Sequence, residues 1–255
     1  VNDLQLFYVE QGRGEAVVFI PGLGGDHHLW HHQLPAFAQH FRAIALDPRG
    51  AGQSDKPDLP YTIEEMADDV AGLLEALGIE RAHVVGASMG GFIAQMFALR
   101  HPHRLGRLIL CCTSFGGPNV VPMPPESLAV FTQRTGDPAT DLRRLWAVSV
   151  TERFLREHPE VLEEYVAWRV AHPQPLYAYQ RQLAAALAFQ WKAASTRSKP
   201  PSSSPMGWKI VWSRWRTPDG CTRASRAAVW SSFRRRVISS SLSGRRSSTA
   251  WPSPS

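Results

Sequence analysis

Short, unbroken apolar runs alternate with stretches of helical spacing over the first 112 residues. Ala16, Val17, Val18, Phe19 and Ile20 form one run, bounded by Gly14 and by Pro21 and Gly22, as an interior strand buried on both faces requires. Residues 7–10, 42–46, 82–86 and 105–112 read as further strands. Between them, residues 61–78 carry helical spacing. Thr62 and Glu65 match a capping box, Ile63, Met66, Val70, Leu73, Leu74 and Leu77 form one apolar face, and Gly78 closes the helix. Residues 91–101 read as the next helix. Strand and helix in alternation predict an α/β fold: a mostly parallel sheet with helices on both faces.

Two changes of pattern divide the chain. After a proline-rich loop at 118–125, residues 126–190 read as amphipathic helices without a strand, for example 141–154 and 159–170. This insertion is expected to cap the carboxyl edge of the sheet, so 1–117 are read as core and 118–191 as helical cap. From 192 to 255 neither periodicity persists, and the segment holds 17 serines and five tryptophans. It reads as an aberrant basic tail, disordered and standing where the last core strands belong.

Charge reinforces that division. The net charge of +6 combines a net of −6 over residues 1–191, with 15 basic and 21 acidic residues, and a net of +12 over 192–255, with 13 basic and one acidic residue. A basic surface for nucleic acid or membrane is therefore not a property of the fold, and such a binder rests on the tail alone. No long apolar span and no basic leader pattern is visible, and Cys111, Cys112 and Cys221 form no disulfide framework or zinc spacing. A cytoplasmic monomer or homodimer without nucleic-acid or membrane partners is expected.

The candidate chemistry lies at strand ends. Gly86, Ala87, Ser88, Met89 and Gly90 form a Gly-x-Ser-x-Gly string after a strand and before a helix, the context of a nucleophile elbow. Ser88 is then held at a helix amino end, where free amides favour developing negative charge. Pro21, Gly22, Leu23, Gly24 and Gly25 follow the earlier interior strand, so the Leu23 and Met89 amides are the expected oxyanion donors. Gly22, Gly24, Gly86 and Gly90 support those turns. The loop has neither Gly-x-Gly-x-x-Gly spacing nor a Gly-Lys-Ser/Thr, which excludes a nucleotide phosphate site. The stretch from Asp47 to Asp55 is expected to brace turns through hydrogen bonds. His27, His28, His31 and His32 cluster, but no carboxylate or cysteine is spaced to complete a metal site, so rim histidines without a metal or cofactor are expected. His28 is expected near the substrate pocket because it closely follows the oxyanion loop.

These motifs in this order, with His101 and Pro102, resemble the α/β-hydrolase fold superfamily, especially its esterase, enol-lactonase and carbon–carbon bond hydrolase branch, over about residues 4–191. The resemblance implies a small-molecule ester, lactone, thioester or vinylogous diketone as substrate. The main reading is a serine hydrolase of carboxylic esters or lactones working through an acyl-enzyme, and the alternative a carbon–carbon bond hydrolase of aromatic ring-cleavage products. Histidine often stands in that family where this chain has Pro21 and Ala51, neither of which alters the chemistry. Family members that use an aspartate nucleophile are excluded by Ser88.

In this family the partners follow in the order serine, acid, histidine. The last histidine of this chain is His172, and the only later acidic residue is Asp219, in surroundings unlike the family's. The family acid and histidine thus have no counterpart in this frame. Reading the tail one base out of register supplies both. Residues 205–215 then permit His-Gly followed by Glu-Asp-Arg-Val-Val-Pro-Val, and residues 236–240 permit Gly-His-Leu-Phe-Phe. The hidden aspartate spans the codons of Lys209 and Ile210, and the hidden histidine those of Val237 and Ile238. A frameshift between about Gln190 and Arg197 is expected, and the chain as written is expected to be weakly active or inactive.

Overall fold

The computed structural model describes residues 4–115 and 123–189. Five strands, β1 (Tyr8–Gln11), β2 (Ala16–Ile20), β3 (Arg42–Leu46), β4 (Ala82–Ala87) and β5 (Leu105–Cys111), form one sheet in the order β1-β3-β2-β4-β5. β1 runs antiparallel to β3, and every other pairing is parallel. The run at 16–20 is unbroken because β2 lies between β3 and β4 with all five residues buried. The basic tail, residues 192–255, lies outside the described residues, as does most of the proline-rich loop.

Period-two alternation then sorts the two layers. Val18 and Ile20 join Ile44 and Leu46 in the main apolar cluster. That cluster takes in the apolar face of α2 (Ile63–Ala76) and Ile93 and Phe97 of α3 (Met89–Arg100). Phe19 points the other way, onto Trp30 and Phe37 at centroid distances of 5.2 and 5.0 Å. Phe37 belongs to the short α1 (Leu34–Ala38), and Trp30 closes a 3-10 turn at His27–Trp30.

The expected capping box is present in α2: the Glu65 amide donates to Thr62 Oγ1 at 3.1 Å, and the Thr62 amide donates to Glu65 Oε2 at 3.0 Å. α3 begins at Met89, two residues earlier than the apolar spacing suggested, because the turn at Ser88 leads directly into the helix. The expected helix at 141–154 is two helices, α5 (Pro138–Ser149) and α6 (Glu152–Glu157), joined after α4 (Pro125–Thr132). Val150 is extended, and Thr151 starts α6 by accepting the Phe154 amide at 3.2 Å. α7 (Pro159–Ala171) and α8 (Leu176–Ala188) complete the insertion. Leu142, Tyr165 and Val166 give it a small apolar cluster of its own.

Two ion pairs fix the α2 side of the sheet. Arg49 Nε and Nη2 donate to Asp69 at 2.6 and 2.8 Å, with the side chains only 10% and 3% exposed. Burial alone would lower the Arg49 pKa, but the bonds and charge of Asp69 outweigh it and the guanidinium is held above its ordinary value. Asp68, half-exposed on the same helix, accepts two bonds from Arg100 and contacts His101 Nε2 at 2.8 Å.

Removing one member of the buried pair leaves an uncompensated charge. Asp69→Ala is therefore expected to cost about 3–5 kcal/mol in urea unfolding, whereas Arg153→Ala in the exposed Arg153–Glu157 pair costs less than about 0.5 kcal/mol. Acid should act through Asp68, whose pKa is lowered chiefly by the Arg100 hydrogen bond, against some desolvation. A depressed carboxylate stabilises the fold above its unfolded pKa, and that contribution disappears as pH falls through the folded value. The stability profile of Asp68→Asn below about pH 4 should be flatter than that of the parent, by less than about 1 kcal/mol because the pair is partly solvated.

Candidate active site

β4 delivers Ser88 to the carboxyl edge of the sheet and α3 begins at the next residue. Ser88 has φ 53° and ψ −119°, a backbone region that side chains other than glycine avoid. Its neighbours impose that geometry. The Ser88 amide donates to the Cys111 carbonyl at 2.9 Å, and its own carbonyl accepts from the Gly91 amide at 2.8 Å and from Thr113 Oγ1 at 2.7 Å. Glycine is needed beside it: a Cβ on Gly86 would strike the Gly90 carbonyl, and one on Gly90 the carbonyls of Ile20 and Pro21. The result is an exposed Ser88 followed by a buried Met89.

The loop after β2 passes the same point. A Cβ on Gly22 would lie 3.2 Å from Ser88 Cβ and 3.7 Å from its Oγ. Gly24, at φ +70°, donates its amide to Gln182 Oε1 at 3.1 Å. Among the described residues, neither the Leu23 amide nor the Met89 amide makes a hydrogen bond. Met89 is the first residue of α3, where an amide has no acceptor within the helix and the helix dipole adds positive potential. Ser88 Oγ likewise has no hydrogen-bond partner among the described residues. Among the described residues the turn thus presents a hydroxyl beside the Gly22 loop with no basic side chain hydrogen-bonded to it.

The loop after β3 braces that arrangement. The Asp47 carboxylate, fully buried, accepts the His27 amide at 2.6 Å, the Gln53 amide at 2.8 Å and His27 Nδ1 at 2.8 Å. Burial would lower the His27 pKa, yet the bond and charge of Asp47, with Asp26 adding, raise it above the ordinary value. Ser54 Oγ donates to the Asp47 carbonyl at 2.6 Å and accepts the Phe7 amide at 2.8 Å.

Helices α7 and α8 reach into both loops. Gln182 of α8 is fully buried; its Nε2 donates to the Arg49 carbonyl at 2.8 Å while its Oε1 holds Gly24. Arg169 and Trp168 of α7 donate to Asp26 Oδ2 at 2.7 and 3.2 Å. Sequence spacing gave no sign of these contacts, which link residues more than a hundred positions apart. A cavity of about 110 Å3 lies in this seam, lined by Asp26, His27, Gly52, Gln53, Trp168, His172 and Pro173.

His28 was expected at the pocket on sequence proximity alone. In the 3-10 turn its ring stacks on Trp168 at 4.2 Å and on His31 at 4.1 Å. Burial and the neighbouring His31 hold its pKa below the ordinary value. A carboxylate also joins the histidine cluster, which spacing did not foresee: Glu164 of α7 lies 3.2 Å from His31 Nε2.

This arrangement of sheet, elbow and helical insertion defines a hydrolase fold. A family model for the alpha/beta hydrolase fold matches residues 15–136. The 2-hydroxy-6-oxo-6-phenylhexa-2,4-dienoate hydrolase of Comamonas testosteroni is 33% identical over 179 residues, which are 66% of this chain and 60% of that protein. A 2-hydroxy-6-oxononadienedioate/2-hydroxy-6-oxononatrienedioate hydrolase of Burkholderia vietnamiensis is 34% identical over 71% of this chain and 70% of its own length. The crystal structure of the enol-lactonase from Burkholderia xenovorans LB400 superimposes with a TM-score of 0.60 at 32% identity, covering 72% of each chain. The chain belongs to the α/β-hydrolase fold family. Among the described residues no helix is long and apolar enough to cross a membrane.

The backbone at Ser88 is the kind of strain that glycine relieves. Ser88→Gly is expected to raise stability by about 1 kcal/mol in denaturant unfolding, while Gly22→Ala should crowd the hydroxyl without comparable gain.

Proposed function

We propose that the chain is a hydrolase of 2-hydroxy-6-oxo dienoates, cleaving the carbon–carbon bond beside the 6-oxo carbon, with Ser88 as nucleophile. The observation that carries this reading is the similarity to the Comamonas and Burkholderia hydrolases, over 66% and 71% of the chain. It replaces the ester or lactone as the first choice. Ester and lactone hydrolysis is the second reading, favoured by the likeness to the enol-lactonase.

Both readings use the same core. Addition of Ser88 Oγ to a carbonyl carbon places negative charge on its oxygen, and the Leu23 and Met89 amides stabilise that charge. The two chemistries differ in the leaving group. An ester releases an alkoxide, whereas the dienoate releases a carbanion that is tolerable only because its charge spreads through the unsaturated chain to the 2-oxo group of the keto tautomer. A cap that holds the carboxylate end of the chain in the orientation for that delocalisation is what the carbon–carbon reaction adds. Water then releases the acyl group from Ser88, and a proton completes the dienoate product.

A serine hydroxyl needs a base to do this at neutral pH. The segment expected to supply it, after about Gln190, lies outside the described residues. The shifted frame remains the reading that provides an aspartate and a histidine in family order. DNA sequencing across the codons of 190–197, with the intact mass of the expressed protein, tests it directly.

Activity separates the readings. The frame-restored protein should consume 2-hydroxy-6-oxo-6-phenylhexa-2,4-dienoate with kcat/KM at least about tenfold above that for short p-nitrophenyl esters, and Ser88→Ala should lose about a thousandfold or more. The chain as written should be about 10²- to 10⁴-fold slower for want of its base. A preference for esters or lactones would move the assignment to the second reading, and no turnover of any of them would remove both.

A further inference from the structure

We infer that His28, His31 and Glu164 form a binding site for a divalent transition ion of the zinc type, which staples cap helix α7 to the loop after β2. The inference does not depend on the reaction proposed above. One donor atom from each of the three residues lies within 4.8 Å of the others. The histidines come from the 3-10 turn of the core and its exit, and the glutamate from the opposing cap helix.

Three features of the cluster point to a ligand. His28 Nε2 and His31 Nε2 are both buried without a hydrogen-bond partner. An orphaned polar atom of that kind is costly unless something satisfies it. Second, His31 Nδ1 lies 2.6 Å from the His28 carbonyl oxygen. A carbonyl only accepts, so Nδ1 carries a proton, and Nε2 is the ring atom available to ligate an ion once it carries none. That Nε2 lies 3.2 Å from Glu164 Oε1, at ion-pair distance but outside hydrogen-bond geometry. A divalent ion between the two atoms would displace any proton they share and take both as ligands.

The donor set suits the ion. Two imidazoles and one carboxylate match zinc-type coordination, and three protein ligands leave a fourth position for water. His32 Nε2 lies 3.9 Å from Glu164 Oε2. Ligand bonds of about 2.0–2.2 Å are shorter than the present spacing allows, so the parallel His28 and His31 rings must tilt out of their stack when the ion enters. Trp168, stacked on the other face of His28, limits that tilt to one direction. The Asp26 bonds to Arg169 and Trp168 already hold α7 in register, so the site is largely assembled before the ion arrives.

Titration of the untagged, chelator-stripped full chain with Co2+ and Zn2+ tests the site. One ion per chain is expected, with a visible Co2+ d–d band lacking thiolate charge transfer, which separates this site from the cysteines, and with a raised Tm under saturating Zn2+. His28→Ala and Glu164→Gln should each weaken binding about tenfold or more. Glu164 is exposed, so its variant keeps the fold, and circular dichroism verifies this for both. No binding at ~100 µM metal, far above the protein concentration, would overturn the inference. So would binding that both folded variants leave unchanged, or a thiolate spectrum.

Discussion

A single buried carboxylate sets the distance between the loops that build the active-site edge. Asp47 stands at the end of β3, and its three accepted bonds tie the loop after β2 to its own turn at Gln53. The turn has no room for anything else: a Cβ on Gly52, itself at φ +51°, would overlap the Asp47 carboxylate. Water is excluded from this group, so its bonds are made inside a medium where an unsatisfied acceptor is costly. The geometry of Gly22 against Ser88 follows, because the chain between Gly22 and His27 is too short to move at one end and stay fixed at the other.

The cap continues the same logic with polar contacts. Gln182 and Arg169 are long, hydrophilic residues buried at 0% and 8% exposure, and each has an assigned partner across the seam. Such contacts are directional, so they fix orientation where an apolar seam would allow sliding. Gln182 binds both loops at once: it takes the Gly24 amide of one and the Arg49 carbonyl of the other.

The core was legible in the sequence where local rules decide. The five-residue run of β2, the Thr62–Glu65 box and the glycines around Ser88 each state their structure in a few adjacent residues. The interruption between α5 and α6 was not, because apolar spacing continues past Ser149 and only Thr151 marks the new start. The seam was illegible for a different reason. Nothing near Asp26 announces Arg169, and nothing near His31 announces Glu164; these pairs exist only after the cap has folded back. The histidine cluster therefore looked incomplete until its carboxylate arrived from a distant helix.

Strain at Ser88 marks a turn that the surrounding backbone imposes. A residue at φ 53° is held against its own preference by three hydrogen bonds and by backbone packed too closely for a Cβ at Gly86 or Gly90. Nothing in sheet stability requires that turn, since a glycine there would be easier. What it accomplishes is to lift a hydroxyl out of the sheet and set it ahead of a helix amino end. Addition to a carbonyl needs both, and it needs them in place before substrate arrives, because donors that must reorient lose much of their effect. The turn that carries this hydroxyl is thus encoded by backbone geometry between residues 20 and 91. The turn is held by contacts made wholly within the described residues.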